Sequence, residues 1–215
     1  MKSYVVVGLG RFGSEVARQL YLCGCEVLAV DLKSELVQQI SQDVTHAAVG
    51  DSRDKEVLKM LGVGEFDCAV VAIGDDLAAS VLVTMNLKEL GVPYLVCKAA
   101  DDIHRHVLEK LGADRVVIPE QENAARLAKS LSSPNLLDYI ELSDEYSIVE
   151  LPAPGDWVEK SLKELNVRAK LGVNILAVRR DGKIDVSPAA DFQFRTGDIV
   201  VVLGDKRALT MVQKL

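Results

Sequence analysis

Residues 8–13 read Gly-Leu-Gly-Arg-Phe-Gly, and Asp31 closes an apolar run 18 residues after the last of those glycines. These residue types at this spacing suit one chemistry, the holding of a phosphorylated nucleoside. Gly8 allows a tight turn, Gly10 omits a side chain where a pyrophosphate must approach, and Gly13 lets a helix pack closely on a sheet. Backbone N–H groups at the start of that helix then face the anion. A carboxylate at Asp31 can accept both ribose hydroxyls of an adenosine, and its charge repels a 2′-phosphate, which disfavours NADP. The plain alternative is a tight strand-to-helix joint in which Asp31 caps the next helix.

Positioning such a loop requires a strand before it and a helix after it, and the sequence supplies both. Apolar runs at 4–8, 26–31, 45–51, 67–74, 94–99 and 114–120 are separated by helical stretches near 11–23, 33–42, 53–61, 76–90 and 102–111. Strands rich in Val, Ile and Ala that alternate with helices predict right-handed crossovers and a parallel, doubly wound, Rossmann-like α/β sheet of six strands by about residue 118. Asp51 and Ile73-Gly74 then fall on the same carboxyl edge as Gly8–Gly13 and Asp31. A ligand belongs in the crevice at that edge. Lys98, ending the fifth strand, is within reach of a ligand phosphate there.

The rhythm changes after residue 120. Residues 121–133 read as a helix, and Pro134 biases Ser133 away from helix and marks a boundary. Beyond it, EYSIVELPAPG, VNILAVRRDGKIDVSP and DIVVVLG read as short strands, with Asp181-Gly182 as a hairpin turn. The expected division is a nucleotide-binding domain over 1–134, including a crossover helix at about 119–134, and a small α+β domain over 135–215.

Composition narrows the partners. The formal net charge is −7, so a phosphate-backbone binder with a basic face is not expected and nucleic acid is set aside. No apolar run approaches a membrane span, and the first residues read as a strand rather than a signal peptide, which places the protein in the cytoplasm. Cys68 and Cys97 lie in apolar runs and read as small buried hydrophobes. Cys23 and Cys25 lack a second pair at zinc-site spacing.

Whether the nucleotide is reacted or sensed turns on acid–base groups. His46 starts a strand, and His104 and His106, two apart on a helix, point to different faces. All three read as exposed or locally hydrogen-bonded. Tyr94 and Lys98 match a Y-x-x-x-K pair, but on a strand four residues span roughly 13 Å, too far for the two side chains to act together. Esterase, metalloprotease and Walker-A patterns are absent from the sequence. A sensed nucleotide is therefore expected rather than an enzymatic one. The rival readings are a small NAD-dependent oxidoreductase and the regulator of a different cation channel.

GLGRFG, the Asp31 strand end, LGADRVVIPE (111–120) and SLKELNVRAKLGVNILAVRRDGK (161–183) together resemble the RCK/KTN (TrkA-type) family, and within it the KtrA-type regulatory subunits of Ktr potassium transporters. The similarity covers essentially the whole chain. It implies an RCK-N Rossmann lobe and an RCK-C lobe. It also implies a homodimer assembling into a cytosolic octameric ring beneath a membrane potassium channel or transporter subunit, without insertion of its own. ATP against ADP would switch the ring, with NAD or NADH as the alternative ligand. Carried over by motif, the loop with Gly8, Gly10, Arg11, Phe12 and Gly13 holds phosphate, Asp31 holds ribose, and Asp51 and Ser52 lie near adenine and ribose. Arg11 reaches the terminal phosphate from across a dimer, and Glu120 helps hold Mg or another cation beside it. Lys33 departs from the polar neutral residue usual two positions after the ribose aspartate, and a cation there could favour a phosphorylated ribose. Asn166, Arg168, Asn174, Ile175 and Pro188 fall where family C-lobes bind cyclic di-AMP, though the same positions suit ordinary dimer packing.

Overall fold

Strands and helices alternate from the start of the chain in the computed structural model, which describes residues 2–132, 137–143 and 145–215. The first of two compact units, Met1–Glu120, runs β1 (Ser3–Val7), α1 (Arg11–Leu22), β2 (Glu26–Asp31), α2 (Ser34–Ile40), β3 (His46–Val49), α3 (Lys55–Met60), β4 (Cys68–Val71), α4 (Leu77–Glu89), β5 (Leu95–Lys98), α5 (Asp102–Lys110) and β6 (Arg115–Val117). All strand pairs are parallel, in the order β3-β2-β1-β4-β5-β6. The chain moves outward from β1 to β3, then crosses back to place β4 on the other side of β1. That reversal opens a crevice at the carboxyl ends of β1 and β4, where the glycine loop lies.

The apolar runs form strands because both sheet faces are covered. Val5 and Val7 pack with Val30, Val71, Leu87 and Leu95 on one face, while Val6 packs with Ala17, Val27, Ala29 and Ile40 on the other. Alternate residues of one strand thus feed two cores, and neither face tolerates polar side chains. Cys68 and Cys97 sit in this core, and burial pushes both thiols up to about 11.

The last helix of the Rossmann-like run begins where the crossover helix was expected, at about 119, and two residues ahead of the helical pattern at 121–133. α6 spans Pro119–Ser132, so β6 stops at Val117 instead of running on to residue 120. Pro119 occupies the first helical position, where its fixed φ suits the turn and its missing N–H costs nothing. The second unit is Gln121–Leu215. Pro134, the boundary expected from sequence, lies outside the described residues.

In that second unit β7 (Asp138–Glu141), β8 (Tyr146–Pro152), β9 (Asn174–Arg180), β10 (Lys183–Asp185) and β11 (Ile199–Asp205) form an antiparallel sheet ordered β10-β9-β11-β8-β7. Short helices α7 (Leu162–Leu165) and α8 (Val167–Leu171) precede β9, and α9 (Lys206–Gln213) comes after β11. Asp181 and Gly182 take φ values of 49° and 76° at the β9–β10 hairpin, the two left-handed residues such a turn needs. Asp198 is 1% exposed and charged, and both of its oxygens meet the Arg180 guanidinium at 2.7 and 2.6 Å. A buried carboxylate survives only with such a partner.

His104, expected from sequence to be exposed or locally hydrogen-bonded, is the latter. It is 3% exposed. Its Nδ1 accepts the Ala100 N–H at 3.2 Å, and its Nε2 lies 3.0 Å from Ser80 Oγ on α4. A backbone N–H can only donate, so the ring proton must be on Nε2 and the imidazole is neutral. Burial holds its pKa below the usual histidine value, against a weaker upward pull from Asp101. The native state therefore resists a proton that the unfolded chain accepts at about pH 6.5. Stability should be flat above that pH and decline as pH falls below it, at up to about 1.4 kcal/mol per pH unit. Urea unfolding from pH 8 to 5 checks this, and His104→Gln should flatten the slope in that window.

Candidate nucleotide site

The glycine loop owes its shape to three different constraints. Gly8 has φ +91°, and its N–H donates to the Val30 carbonyl at 2.9 Å, which turns the chain off β1. A Cβ on Gly13 would lie 1.8 Å from the Gly8 carbonyl oxygen and 2.9 Å from Ala72 Cβ. That residue is glycine because α1 rests directly on the loop. Gly10 differs: an added Cβ would meet no atom within 4 Å. Its φ of −66° is open to any residue. Nothing among the described residues requires glycine there, so the space above Gly10 is room for something else.

What faces that room is a helix start without a cap. Gly10 is the N-cap of α1, no side chain accepts from the first turn, and no acidic residue lies in it. The first N–H groups of a twelve-residue helix are thus left for an outside acceptor.

Asp31 joins this loop to the end of β2. Its Oδ2 accepts the Leu9 N–H at 2.6 Å, and its Oδ1 accepts the Lys33 N–H at 2.8 Å. The capping role and the ligand role are compatible, because each carboxylate oxygen keeps a second lone pair for a hydroxyl. Asp51, beyond the end of β3, is engaged by Arg53 through Nε at 2.8 Å and Nη2 at 2.7 Å. The Arg53 side-chain hydrogen bonds hold its carboxyl below the usual range. The Arg53 carbonyl accepts from Asn86 Nδ2 on α4 at 2.9 Å, which fixes the loop after β3 against the helix.

These pieces border one cleft of about 430 Å³, lined by Gly8, Gly10, Asp31, Lys33, Asp51, Ser52, Ile73 and Gly74. Eight of the sequence-predicted residues are thereby brought together. Gly13 sits beneath the loop. Phe12 and Lys98 flank the cleft, with Lys98 Nζ 5.8 Å from the Phe12 ring centre. Arg11 is exposed on the first turn of α1. Sequence reasoning missed Arg53, Leu36, Asp75 and Asp76, which also line the cleft. Asp76 was legible as a cap, and its carboxylate accepts the Ala79 N–H at 2.9 Å at the start of α4. Arg53 carried no spacing signal.

Ser52 is 7% exposed, and its Oγ has no hydrogen-bond partner among the described residues. A buried hydroxyl in a cleft wall without a partner is costly unless a ligand or water supplies one. Glu120 is elsewhere engaged: its Oε1 lies 2.7 Å from Lys98 Nζ. Among the described residues no group of three or more His, Cys, Asp and Glu converges as a metal site. The residues of one chain, with Glu120 already paired to an ammonium, do not by themselves fit the divalent cation expected there.

The five C-lobe candidates lie in the second unit. Asn166 links α7 to α8 in a left-handed conformation with φ 45°, and Arg168 is exposed on α8. Asn174 and Ile175 open β9, with Ile175 packed against the C-lobe core, and Pro188 is half-buried after β10.

A family model for the TrkA-N domain matches residues 4–119, and one for the TrkA-C domain matches residues 146–215. The chain belongs to the TrkA-N/TrkA-C family. It is 45% identical over 206 residues to Ktr system potassium uptake protein A of Bacillus subtilis (strain 168), covering 96% of this chain and 93% of that protein. It is 42% identical over 213 residues to Ktr system potassium uptake protein C of the same organism, covering 99% and 96%. The GsuK RCK domain superposes with a TM-score of 0.68 at 18% identity over 100% of this chain and 47% of that one. That likeness concerns fold, and the chain spans about half of that molecule.

The TrkA-N half thus contains a glycine held by packing and a glycine held by nothing internal, which separates structure from function. Gly13→Ala should lose about 1–3 kcal/mol of stability through overpacking. Gly10→Ala should leave the urea midpoint nearly unchanged and weaken ADP binding in calorimetry by about tenfold or more, the cost of a methyl group in the anion's place.

Proposed function

We propose that the protein is a nucleotide-sensing regulatory subunit of a membrane potassium transporter, assembled as dimers into a ring that responds to ATP against ADP. The observation that carries the nucleotide part is the space above Gly10, which no group among the described residues fills, facing the uncapped start of α1. The unpartnered Ser52 hydroxyl in the same cleft supports it. The potassium part rests on near full-length identity of 42–45% to proteins named for potassium uptake. No helix among the described residues is long and apolar enough to cross a membrane, so the membrane path belongs to a partner in this reading.

The cleft suits sensing better than turnover. Its lining contains no His, Tyr or Cys, and its Asp31, Asp51 and Asp76 carboxylates are engaged by backbone N–H groups or by Arg53. ATP and ADP share most contacts, so only interactions with the terminal phosphate can shift a two-state equilibrium. Arg11 serves this role, since an exposed guanidinium can reach a phosphate bound beside a second copy and grip it bidentately. Moving a switch from 1:99 to 99:1 takes about 5.5 kcal/mol. Charge-assisted contacts of about 1.5–3 kcal/mol each, summed over the sites of a ring, reach that scale. The hinge expected over 119–140 is carried in this reading by α6 (Pro119–Ser132), residues 133–136 lying outside the described residues. NAD or NADH is the alternative occupant of the cleft. Cyclic di-AMP against Asn166, Arg168, Asn174, Ile175 and Pro188 is a separate C-lobe ligand.

A thermal-shift panel with ATP, ADP, NAD, NADH and cyclic di-AMP tests the ligand, because binding to the folded state raises the apparent melting temperature. Arg11→Ala should keep ADP affinity within about twofold and lose the preference for ATP, since only the terminal-phosphate contact is removed. Equal losses for both nucleotides, or steady consumption of the cofactor, would reject the sensing role.

A further inference from the structure

Lys98 has two possible partners and is held by one. Its side chain is only 15% exposed, and Nζ lies 2.7 Å from Glu120 Oε1. Its stem runs along Gly74, a cleft-lining residue, where a Cβ would come within 3.3 Å of Lys98 Cε and 3.4 Å of Nζ. Its head sits 5.8 Å from the ring of Phe12 in the first turn of α1. The ammonium is thus confined between the end of β4 and the uncapped helix start, the place an anion would take. Glu120, by contrast, is 67% exposed, and nothing buries it there except the pair itself.

We propose that Glu120 is an intramolecular competitor for the phosphate, so that ligand binding exchanges one partner of Lys98 for another. This rests on the nucleotide reading above and adds to it a regulatory contact. The exchange balances in charge: the ammonium leaves one carboxylate oxygen and meets a phosphate oxygen, and the exposed carboxylate is released to water, where its solvation cost is small. Glu120 is the second residue of α6, the helix that continues into the chain beyond the first unit. Phosphate at Lys98 therefore frees the first turn of that helix from β5. An unphosphorylated nucleoside has nothing to offer Lys98 and leaves the pair intact.

Two further features agree. The Lys98 hydrogen bond holds the Glu120 carboxyl below its usual range, so the competitor is ionised at neutral pH. Nothing else among the described residues presents a carboxylate to Lys98, so a single substitution removes the competitor.

Calorimetry in EDTA with ADP and with adenosine, on wild type, Glu120→Gln, Glu120→Ala, Lys98→Met and Glu120→Gln/Lys98→Met, decides it. Both Glu120 variants should bind ADP about two- to fivefold more tightly, the range of an exposed ion pair, and adenosine unchanged. Lys98→Met should weaken ADP by about tenfold or more, for the loss of a charge-assisted contact. In the double variant the gain from Glu120→Gln should vanish. A gain that persists in the Lys98→Met background would reduce Glu120 to a general repulsion and overturn the exchange. Unchanged or weaker ADP binding in both Glu120 variants would overturn it too, while leaving the nucleotide reading intact. A wild-type chain that binds neither ADP nor adenosine would overturn both.

Discussion

The carboxylate of Asp31 holds the cleft together. One oxygen fixes the Leu9 N–H inside the glycine loop, and the other fixes the Lys33 N–H ahead of α2. These two segments extend from neighbouring strands, so the carboxylate sets the distance between the phosphate end and the ribose end of the site. Both bonds, at 2.6 and 2.8 Å, have the short length typical of a backbone N–H donating to a carboxylate. Every other contact at this edge assumes a loop already in place.

That constraint resolves an apparent conflict of sign. The cleft proposed above to take a polyanion is lined by Asp31, Asp51, Asp75 and Asp76 against Lys33 and Arg53. Most of that negative charge is already engaged. Asp31 is bound by backbone N–H groups, Asp51 by a bidentate guanidinium, and Asp76 by the start of α4. Beside the helix start lie Arg11 and Lys98, the latter paired with Glu120. In the proposed function the acidic walls orient the ligand: hydroxyls and base face the carboxylate side, and phosphates face the helix. Non-uniform charge of this kind selects a dipolar ligand over a simple anion.

The sheet was legible in the sequence because its strands are buried on both faces. Uninterrupted Val, Ile and Ala leave few alternatives, and the six strands and their shared carboxyl edge emerge from that pattern. Helix ends were harder. The apolar run before Pro119 draws that residue into a strand, because its role at a first helical position depends on the helical residues after it. β7, an edge strand with one half-buried residue, carries almost no apolar pattern. Within the site, glycines and Asp31 announce themselves by spacing, whereas Arg53 and the Lys98–Glu120 pair do not. Arg53 is placed by its neighbours Asp51 and Asn86. Lys98 and Glu120 are 22 residues apart and meet because β5 and α6 end and begin at the same edge. Sequence spacing registers local geometry, and contacts across the sheet edge lie beyond it.

Gly10 and Gly13 illustrate how one motif mixes two kinds of necessity. Gly13 is demanded by the fold, since any Cβ would strike the Gly8 carbonyl. Gly10 is demanded by nothing in the fold, and its neighbours leave the helix start bare. A protein optimised for stability alone would place Ser, Asn or Asp at that N-cap and gain roughly a few tenths of a kcal/mol. Forgoing that cap leaves an anion-sized space whose occupation satisfies the orphan N–H groups. In the proposed function the stabilisation withheld from the free protein is delivered by the ligand, so binding and local order become one equilibrium. A sensor requires that coupling, because a site complete without its ligand has little to change when the ligand arrives.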